Sequence, residues 1–283
     1  MPEMPEIETL ARQLRRDLIG KRVTDVRLSG LPLRRPIAPD FPAKLRGKTI
    51  ERISRRGKYV IAELNPTAFW ILHLGMSGSV LYPSPAAGRS KHTHAIIKFS
   101  DSTELHYRDH RRFGLLAVYE VARLSEIPEI NCLGKDPLSA GFNENWLWPL
   151  LRESRQQIKS FLLDQRKVAG LGNIYSCEAL FLAQIHPTRR CFTLDLYETA
   201  HLVKAIRKVL RMAIKHNGTS FSDFVGPDGK SGANQSNLMV FQREGKECFR
   251  CRAPIVRIRQ GNRSSFCCSH CQDFTHPAEE KGG

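Results

Sequence analysis

The chain has 283 residues, 41% hydrophobic and 25% charged, enough for two ordinary domains with cores of their own and a small appendage. Lys and Arg number 44 against 28 Asp and Glu, and the net charge of +16 points to a polyanionic partner, either nucleic acid or an acidic membrane face. The most apolar run, 68–74, contains His73 and is too short to cross a bilayer, which leaves nucleic acid as the favoured partner and no membrane.

In chain order, the first element is a helix from Glu6, where Ile7, Leu10, Ala11, Leu14 and Leu18 recur at helical spacing between Pro5 and Gly20. From Arg22 to Glu120 the pattern changes to short β-rich runs at 23–28, 49–53, 59–64, 69–74, 95–99, 104–107 and 115–119, separated by turn residues such as Asn65-Pro66 and Asp101-Ser102. Strands of this length and spacing predict a β-sandwich. Residues 133–145, rich in Gly, Pro, Asn and Ser, read as a linker. The second half is helical, with one helix expected over 152–163 and the longest marked by Leu202, Ile206, Val209, Leu210 and Ala213, ending at the cap pair Asn217-Gly218. A Gly-, Ser- and Asp-rich loop, 218–234, follows, and loops of this length usually carry function or lack order.

Near the C-terminus, Cys248-x2-Cys251 and Cys268-x2-Cys271 stand sixteen residues apart. Each C-x2-C step offers two thiolates from one tight turn, and two steps joined by a hairpin complete a tetrahedral shell, so one structural Zn²⁺ is expected. Arg250, Arg252, Arg257, Arg259 and Arg263 lie between or beside these ligands, and the segment is too short to bury a core without a staple. No basic-then-apolar leader opens the sequence. A reducing cytoplasm is therefore expected, with nucleoid association if the source is bacterial, and Cys132, Cys177, Cys191 and Cys267 are read as free thiols. The expected class is α+β: an N-terminal helix and β-sandwich over 1–132, the linker, a helical domain over 146–238, a β-hairpin zinc finger over 239–275, and a disordered tail, 276–283.

The chain start carries the clearest chemistry. Met1 precedes a small residue, Pro2, and its removal leaves a free secondary amine. An α-amino group titrates at roughly 7.7–8.0, against about 10.4 for lysine, so a useful fraction is neutral near pH 7. Attack on a sugar C1′ gives an iminium that keeps its positive charge, an electron sink able to drive loss of the neighbouring phosphates. Glu3 and Glu6 are close enough in sequence to serve as acid and base. The same residues also describe a frayed terminus with two solvated carboxylates.

Beyond the terminus, six segments in order resemble the formamidopyrimidine-DNA glycosylase family. They are Met1 to Thr9, Arg56-Gly57-Lys58-Tyr59, His73 to Gly78 around Met76, Arg111-Arg112-Phe113-Gly114, Gly170 to Tyr175 with Glu178, and the cysteine hairpin. The resemblance implies a bifunctional base-excision enzyme that removes oxidised purines such as 8-oxoguanine and formamidopyrimidines and then cuts the strand by β,δ-elimination. It implies that Pro2 attacks C1′ and that Glu3 works on the opened sugar with support from Glu6. It also implies that Lys58 holds phosphate or adds a second charge beside the lesion, and that Gly170 to Asn173 opens a helix–two-turns–helix element.

An enzyme that acts on a base inside a duplex must extrude it and fill the gap. Met76 and Phe113 would be the wedges and Arg111 would hold the orphaned base. His73, His92, Lys159 and Asn173 would bind DNA, Arg263 at the hairpin tip would grip phosphate beside the lesion, and Thr219 and Ser220 would read the everted base. Damaged double-stranded DNA is the implied partner of a monomer. Three departures are visible: Met4 where Leu is more usual, Phe241 where the family commonly has Tyr, and Cys267 as a fifth thiol beside Cys268. Two other readings stand at this point: an endonuclease VIII-like enzyme for oxidised pyrimidines, and a non-catalytic zinc-ribbon DNA-binding protein, which would leave Pro2, Glu3 and Lys58 without a role.

Overall fold

A computed structural model describes residues 2–83, 90–220 and 231–273. Within it the contacts divide the chain into two compact units: Met1–Cys132 with Ala213–Gln235, and Leu133–Met212 with Ser236–Gly283. The mixed helix-and-sheet fold expected from the sequence is the one found.

The first unit opens with α1 (Met4–Leu18). It begins two residues before the periodicity alone suggests, because Pro5 fits a first helical turn and Glu3 caps it. Its stripe of Ile7, Leu10, Ala11, Leu14 and Leu18 is at most 3% exposed. Burial of each leucine is worth about 1.5–3 kcal/mol, so the stripe fixes the helix to the core. Strands β1 (Val23–Leu28), β2 (Thr49–Arg56), β3 (Tyr59–Asn65), β4 (Ala68–His73), β5 (Gly78–Leu81), β6 (Thr93–Phe99), β7 (Glu104–Asp109) and β8 (Leu115–Tyr119) form two four-stranded antiparallel sheets, in the orders β1-β6-β7-β5 and β2-β3-β4-β8. Alternate residues of both sheets, among them Val60, Ala62, Trp70, Leu72, Ala95, Ile97, Leu105 and Tyr107, join the α1 stripe in one apolar cluster. Two short elements were not evident in the sequence. Helix α2 (Phe41–Leu45) is barely more than a turn, and the four residues of β5 are recruited by pairing with β7. A further short helix, α3 (Pro128–Asn131), ends the β-rich region.

In the second unit the helix expected over 152–163 is shorter, α5 (Ile158–Leu163), and a separate helix, α4 (Glu144–Arg152), precedes it. Tertiary pairing overrides the helical pattern between them: Cys191 N–H donates to Gln156 O at 2.9 Å and Ile158 N–H to Arg189 O at 2.8 Å. Helix α4 starts from the cap of Asn143, whose side chain accepts Trp146 N–H. Helix α6 (Asn173–Leu182) follows a turn held by the Gln165 side chain, which bonds Leu163 O, Leu171 O and Gly170 N. Helix α7 (Leu196–Lys215) ends in a Schellman motif, with Asn217 and Gly218 at positive φ, Asn217 N–H on Ile214 O and Gly218 N–H on Ala213 O. The antiparallel hairpin β9 (Val256–Gln260) and β10 (Arg263–Cys267) carries the last cysteines. Part of the loop 218–234 (221–230) and the tail 276–283 lie outside the described residues.

Candidate active site and nucleic-acid interface

Pro2 is buried at the head of α1, next to two carboxylates that are each 1% exposed. Glu3 and Glu6 form a reciprocal capping box, in which Glu6 Oε2 accepts Glu3 N–H at 2.7 Å. The positive end of the helix dipole favours both negative charges. Glu6 Oε1 accepts Thr219 N–H at 2.8 Å. Gly218, at φ +81°, leaves room for that contact, since a Cβ there would stand 2.7 Å from Glu6 Oε1. Asn234 then donates its side-chain N–H to Thr219 Oγ1 at 3.0 Å and Gly232 donates N–H to Ser220 Oγ at 2.8 Å, so both stems of the 218–234 loop are tied together beside Glu6. Glu3, Glu6, Thr219 and Ser220 are thus brought into one place. Both oxygens of Glu6 are engaged by backbone N–H groups.

Lys58 lies in the two-residue turn between β2 and β3, with Gly57 at φ +57° in the first central position. Its side chain is buried, at 6% exposure. Across the sheet His73 faces Tyr59, ring centroids 4.7 Å apart, and its Nδ1 accepts Gly75 N–H at 3.0 Å. Desolvation, aided by the Lys58 charge, lowers the His73 pKa to about 4. His73 is therefore a neutral imidazole at physiological pH, with Nε2–H as its donor.

Met76 is half-buried on the loop between β4 and β5. At Gly75 a Cβ would meet the Phe113 carbonyl carbon at 2.5 Å, so the Met76 and Phe113 loops are held in backbone contact. Phe113 is 38% exposed and stands between the guanidinium groups of Arg34 and Arg111, at 5.6 and 5.1 Å. One buried carboxylate organises this region. Asp109 accepts Ser77 Oγ–H at 2.7 Å, Gly114 N–H at 2.8 Å and Arg111 N–H at 3.2 Å. His92 pairs edge-on with His110, centroids 6.1 Å apart, and its pKa is lowered by desolvation and by the charges of Lys91, His110, His94 and Arg112.

In the second unit, Asn173 opens α6 and donates Nδ2–H to Ser264 O at 3.0 Å, while its Oδ1 is buried without a partner among the described residues. A cavity of about 530 Å³ adjoins it, lined by Phe241, Arg257, Arg263, Ser264 and Phe266. Arg263 is exposed just past the Gly261-Asn262 turn. Lys159, expected to bind DNA, is 1% exposed and donates to Ser264 O at 3.1 Å and Ser265 Oγ at 2.5 Å, which ties its ammonium to β10. Phe241 packs edge-on against Phe266 at 5.1 Å, in place of a hydroxyl at the cavity.

The four cysteine sulfurs of Cys248, Cys251, Cys268 and Cys271 lie within 4.8 Å of one another. A tetrahedral Zn–S distance of about 2.3 Å implies S···S near 3.8 Å, so the set fits a tetrathiolate metal shell. Arg250 N–H and Cys271 N–H point at Cys248 Sγ and Cys268 Sγ, at 3.4 and 3.5 Å, the supporting bonds such thiolates need. Cys267 is buried outside this set and faces His186 Nε2 at 3.9 Å, which removes it as a competing ligand.

Residues 1–116 match the formamidopyrimidine-DNA glycosylase N-terminal domain and residues 133–225 the formamidopyrimidine-DNA glycosylase H2TH domain. A formamidopyrimidine-DNA glycosylase of Desulforamulus reducens is 40% identical over 274 residues, covering 96% of this chain and 99% of its own length. The chain belongs to the formamidopyrimidine-DNA glycosylase family. The corresponding protein of Thioalkalivibrio sulfidiphilus is also 40% identical, over 96% of this chain and all of its own. Among solved structures, a Lactococcus lactis family member in complex with Fapy-dG-containing DNA aligns at TM-score 0.89 and 34% identity, covering 96% of this chain and 100% of that one. MutM (Fpg) from Thermus thermophilus aligns at 0.87 and 34%, over 96% and 98%. Among the described residues no helix is long and apolar enough to cross a membrane.

Sequence reasoning missed Asp109, the buried carboxylate that holds the loops of Met76 and Phe113, whose one sequence signal is an acidic residue just before Arg111-Arg112. Glu178 stands with the Gly170 to Tyr175 motif, but its partners are not legible there: it accepts Met239, Val240 and Phe241 N–H at 2.8–3.0 Å where the chain enters the cysteine hairpin. Burial raises its pKa, and the three N–H donors oppose that rise.

Proposed function

We propose that this chain excises oxidised purines from double-stranded DNA and cleaves the strand at the resulting site, with the Pro2 nitrogen as nucleophile. The observation that carries this reading is the head of α1, where Pro2 is buried beside Glu3 and Glu6 within a capping box. Its relatives bear the glycosylase name over nearly their whole length, and a structural neighbour aligned at TM-score 0.88 is MutM in complex with carbocyclic 8-oxo-G-containing DNA.

Removal of Met1 frees the secondary amine. Its lone pair forms the N–C1′ bond as the C1′–base bond breaks and the base leaves with a proton. Ring opening gives a cationic iminium. Abstraction of a C2′ proton then expels the 3′ phosphate, a second elimination expels the 5′ phosphate, and water releases the enzyme. Glu3 exchanges the sugar protons. Glu6 holds Glu3 and the loop stem through its two N–H bonds. Lys58 places a positive charge beside the sugar phosphates. His73, His92 and Asn173 donate to the backbone, Arg263 grips the phosphate flanking the lesion, and Lys159 supports that grip through β10. Met76 and Phe113 fill the vacated stack and Arg111 meets the orphaned base. Thr219 and Ser220 contact the everted base. Cys248, Cys251, Cys268 and Cys271 hold one zinc ion, which closes the hairpin. The enzyme acts as a monomer in the cytoplasm.

Borohydride reduction on an 8-oxoguanine:C duplex tests the reading. A covalent protein–DNA adduct is expected, together with base release. Salt-sensitive binding with no adduct would reduce the chain to a DNA-binding module, and an adduct with thymine glycol alone would make oxidised pyrimidines its substrates.

A further inference from the structure

The proposed chemistry leaves unexplained a buried ion pair between α1 and the β2–β3 hairpin. Arg55, on β2, is 7% exposed at its side chain and donates Nε–H to Glu8 Oε2 at 3.0 Å. The same guanidinium donates Nη1–H to Gly57 O, also at 3.0 Å. Glu8 is a residue of α1, 17% exposed, and its other oxygen accepts Arg12 Nε–H at 3.0 Å. A buried guanidinium is costly unless its donors are used in fixed geometry, and the planar fork suits two acceptors at once.

The second acceptor gives the pair its meaning. Gly57 O belongs to the planar peptide unit that leads into Lys58, so anchoring this oxygen fixes the plane from which the Lys58 side chain departs. The turn is otherwise pliable, because Gly57 sits at φ +57° where no Cβ restrains it. The first acceptor lies on the helix whose N-cap is Glu3. Arg55 therefore links the head of α1 to the Lys58 turn by two hydrogen bonds. We propose that Arg55, seated by Glu8, is a positioning residue that sets the Lys58 ammonium relative to Pro2 and Glu3. The inference rests on the role given to Lys58 above.

A double-mutant cycle on single-turnover base release from an 8-oxoguanine:C duplex tests it, using Lys58→Met, Arg55→Lys and the double variant. Arg55→Lys retains the charge facing Glu8 but loses the fork that reaches Gly57 O. A misplacement of about 1 Å costs up to about 10²-fold in rate, so base release is expected to slow by about tenfold or more with duplex affinity nearly unchanged. The double variant is expected to be no slower than Lys58→Met, since the clamp has then nothing to place. Glu8→Gln, which keeps an oxygen for Nε–H, should lie nearer wild type than Glu8→Ala, and this pair reads the clamp if Arg55→Lys does not fold. Losses that multiply in the double variant, or wild-type rates in Arg55→Lys and Glu8→Ala, would overturn the proposal while leaving Lys58 its role. A wild-type rate in Lys58→Met would remove that role itself, and the proposal with it.

Discussion

The head of α1 and the cysteine hairpin both lean on buried carboxylates that accept backbone N–H groups, but only the first rests on a large apolar core. At α1, buried carboxylates accept backbone N–H groups: Glu6 takes those of Glu3 and Thr219, and in the same unit Asp109 takes those of Arg111 and Gly114. These bonds rest on an apolar cluster drawn from a helix and two sheets. The hairpin has little apolar support of its own, chiefly Ile255 and Phe266, and is held by four clustered thiols, the buried cation Lys159 and the acceptor Glu178. The first region is preorganised by its own core, and the second depends on a staple.

Metal removal separates the two regions most sharply. Chelation is expected to abolish tight DNA binding by the hairpin while the β-sandwich keeps its cooperative melt, read by anisotropy and near-UV circular dichroism. Full affinity in demonstrably metal-free protein would erase the contrast. Next in size is Asp109→Ala, which leaves the Ser77 hydroxyl and Gly114 N–H without their acceptor, at a cost of about 1–3 kcal/mol for each buried one, while Arg111 N–H keeps Ser77 Oγ. It should weaken excision from duplex more than cleavage of a ready-made abasic site, and equal losses would deny that Asp109 shapes the wedge loops.

Two hairpin variants sharpen the picture further. Arg263→Gln should reduce the slope of log affinity against log salt by about 1, as loss of one phosphate contact does. Lys159→Met should keep that slope and instead lower hairpin stability by about 1–3 kcal/mol, because Ser265 Oγ loses its ammonium donor while Ser264 O keeps Asn173 Nδ2–H. A changed slope in Lys159→Met would give Lys159 the DNA contact expected from the sequence.

The smallest effect at neutral pH is that of His73, which acts only in acid. His73 titrates near 6.5 unfolded and at about 4 folded, so between these values the unfolded chain binds more protons. Its contribution to stability is complete above pH 6.5 and is lost as pH falls toward 4. His73→Asn should flatten that part of the stability profile, and an unchanged profile would contradict a neutral, desolvated His73.

Long strands and α1 were legible because their period matches the face they bury, as in Val60, Ala62 and Leu64 of β3. The break between α4 and α5 was not, because the pairing of Gln156 and Ile158 with residues 189–191 is decided by tertiary contact. The same limit applies to the site. Pro2, Glu3, Lys58 and the four cysteines stand in local motifs, but the bond from Thr219 to Glu6 spans 213 residues and those from 239–241 to Glu178 span more than sixty. A buried acceptor is visible in sequence only when its donor is near.

The most direct measurement is to trap the enzyme on an abasic duplex with borohydride, digest it and locate the sugar remnant by mass. The account predicts that it lies on the Pro2 nitrogen of the N-terminal peptide, in protein whose Met1 is verified absent, and that an uncleaved N-terminal extension abolishes it. A remnant on Lys58 or any other lysine, or trapping that persists when the Pro2 nitrogen is an amide, would contradict it.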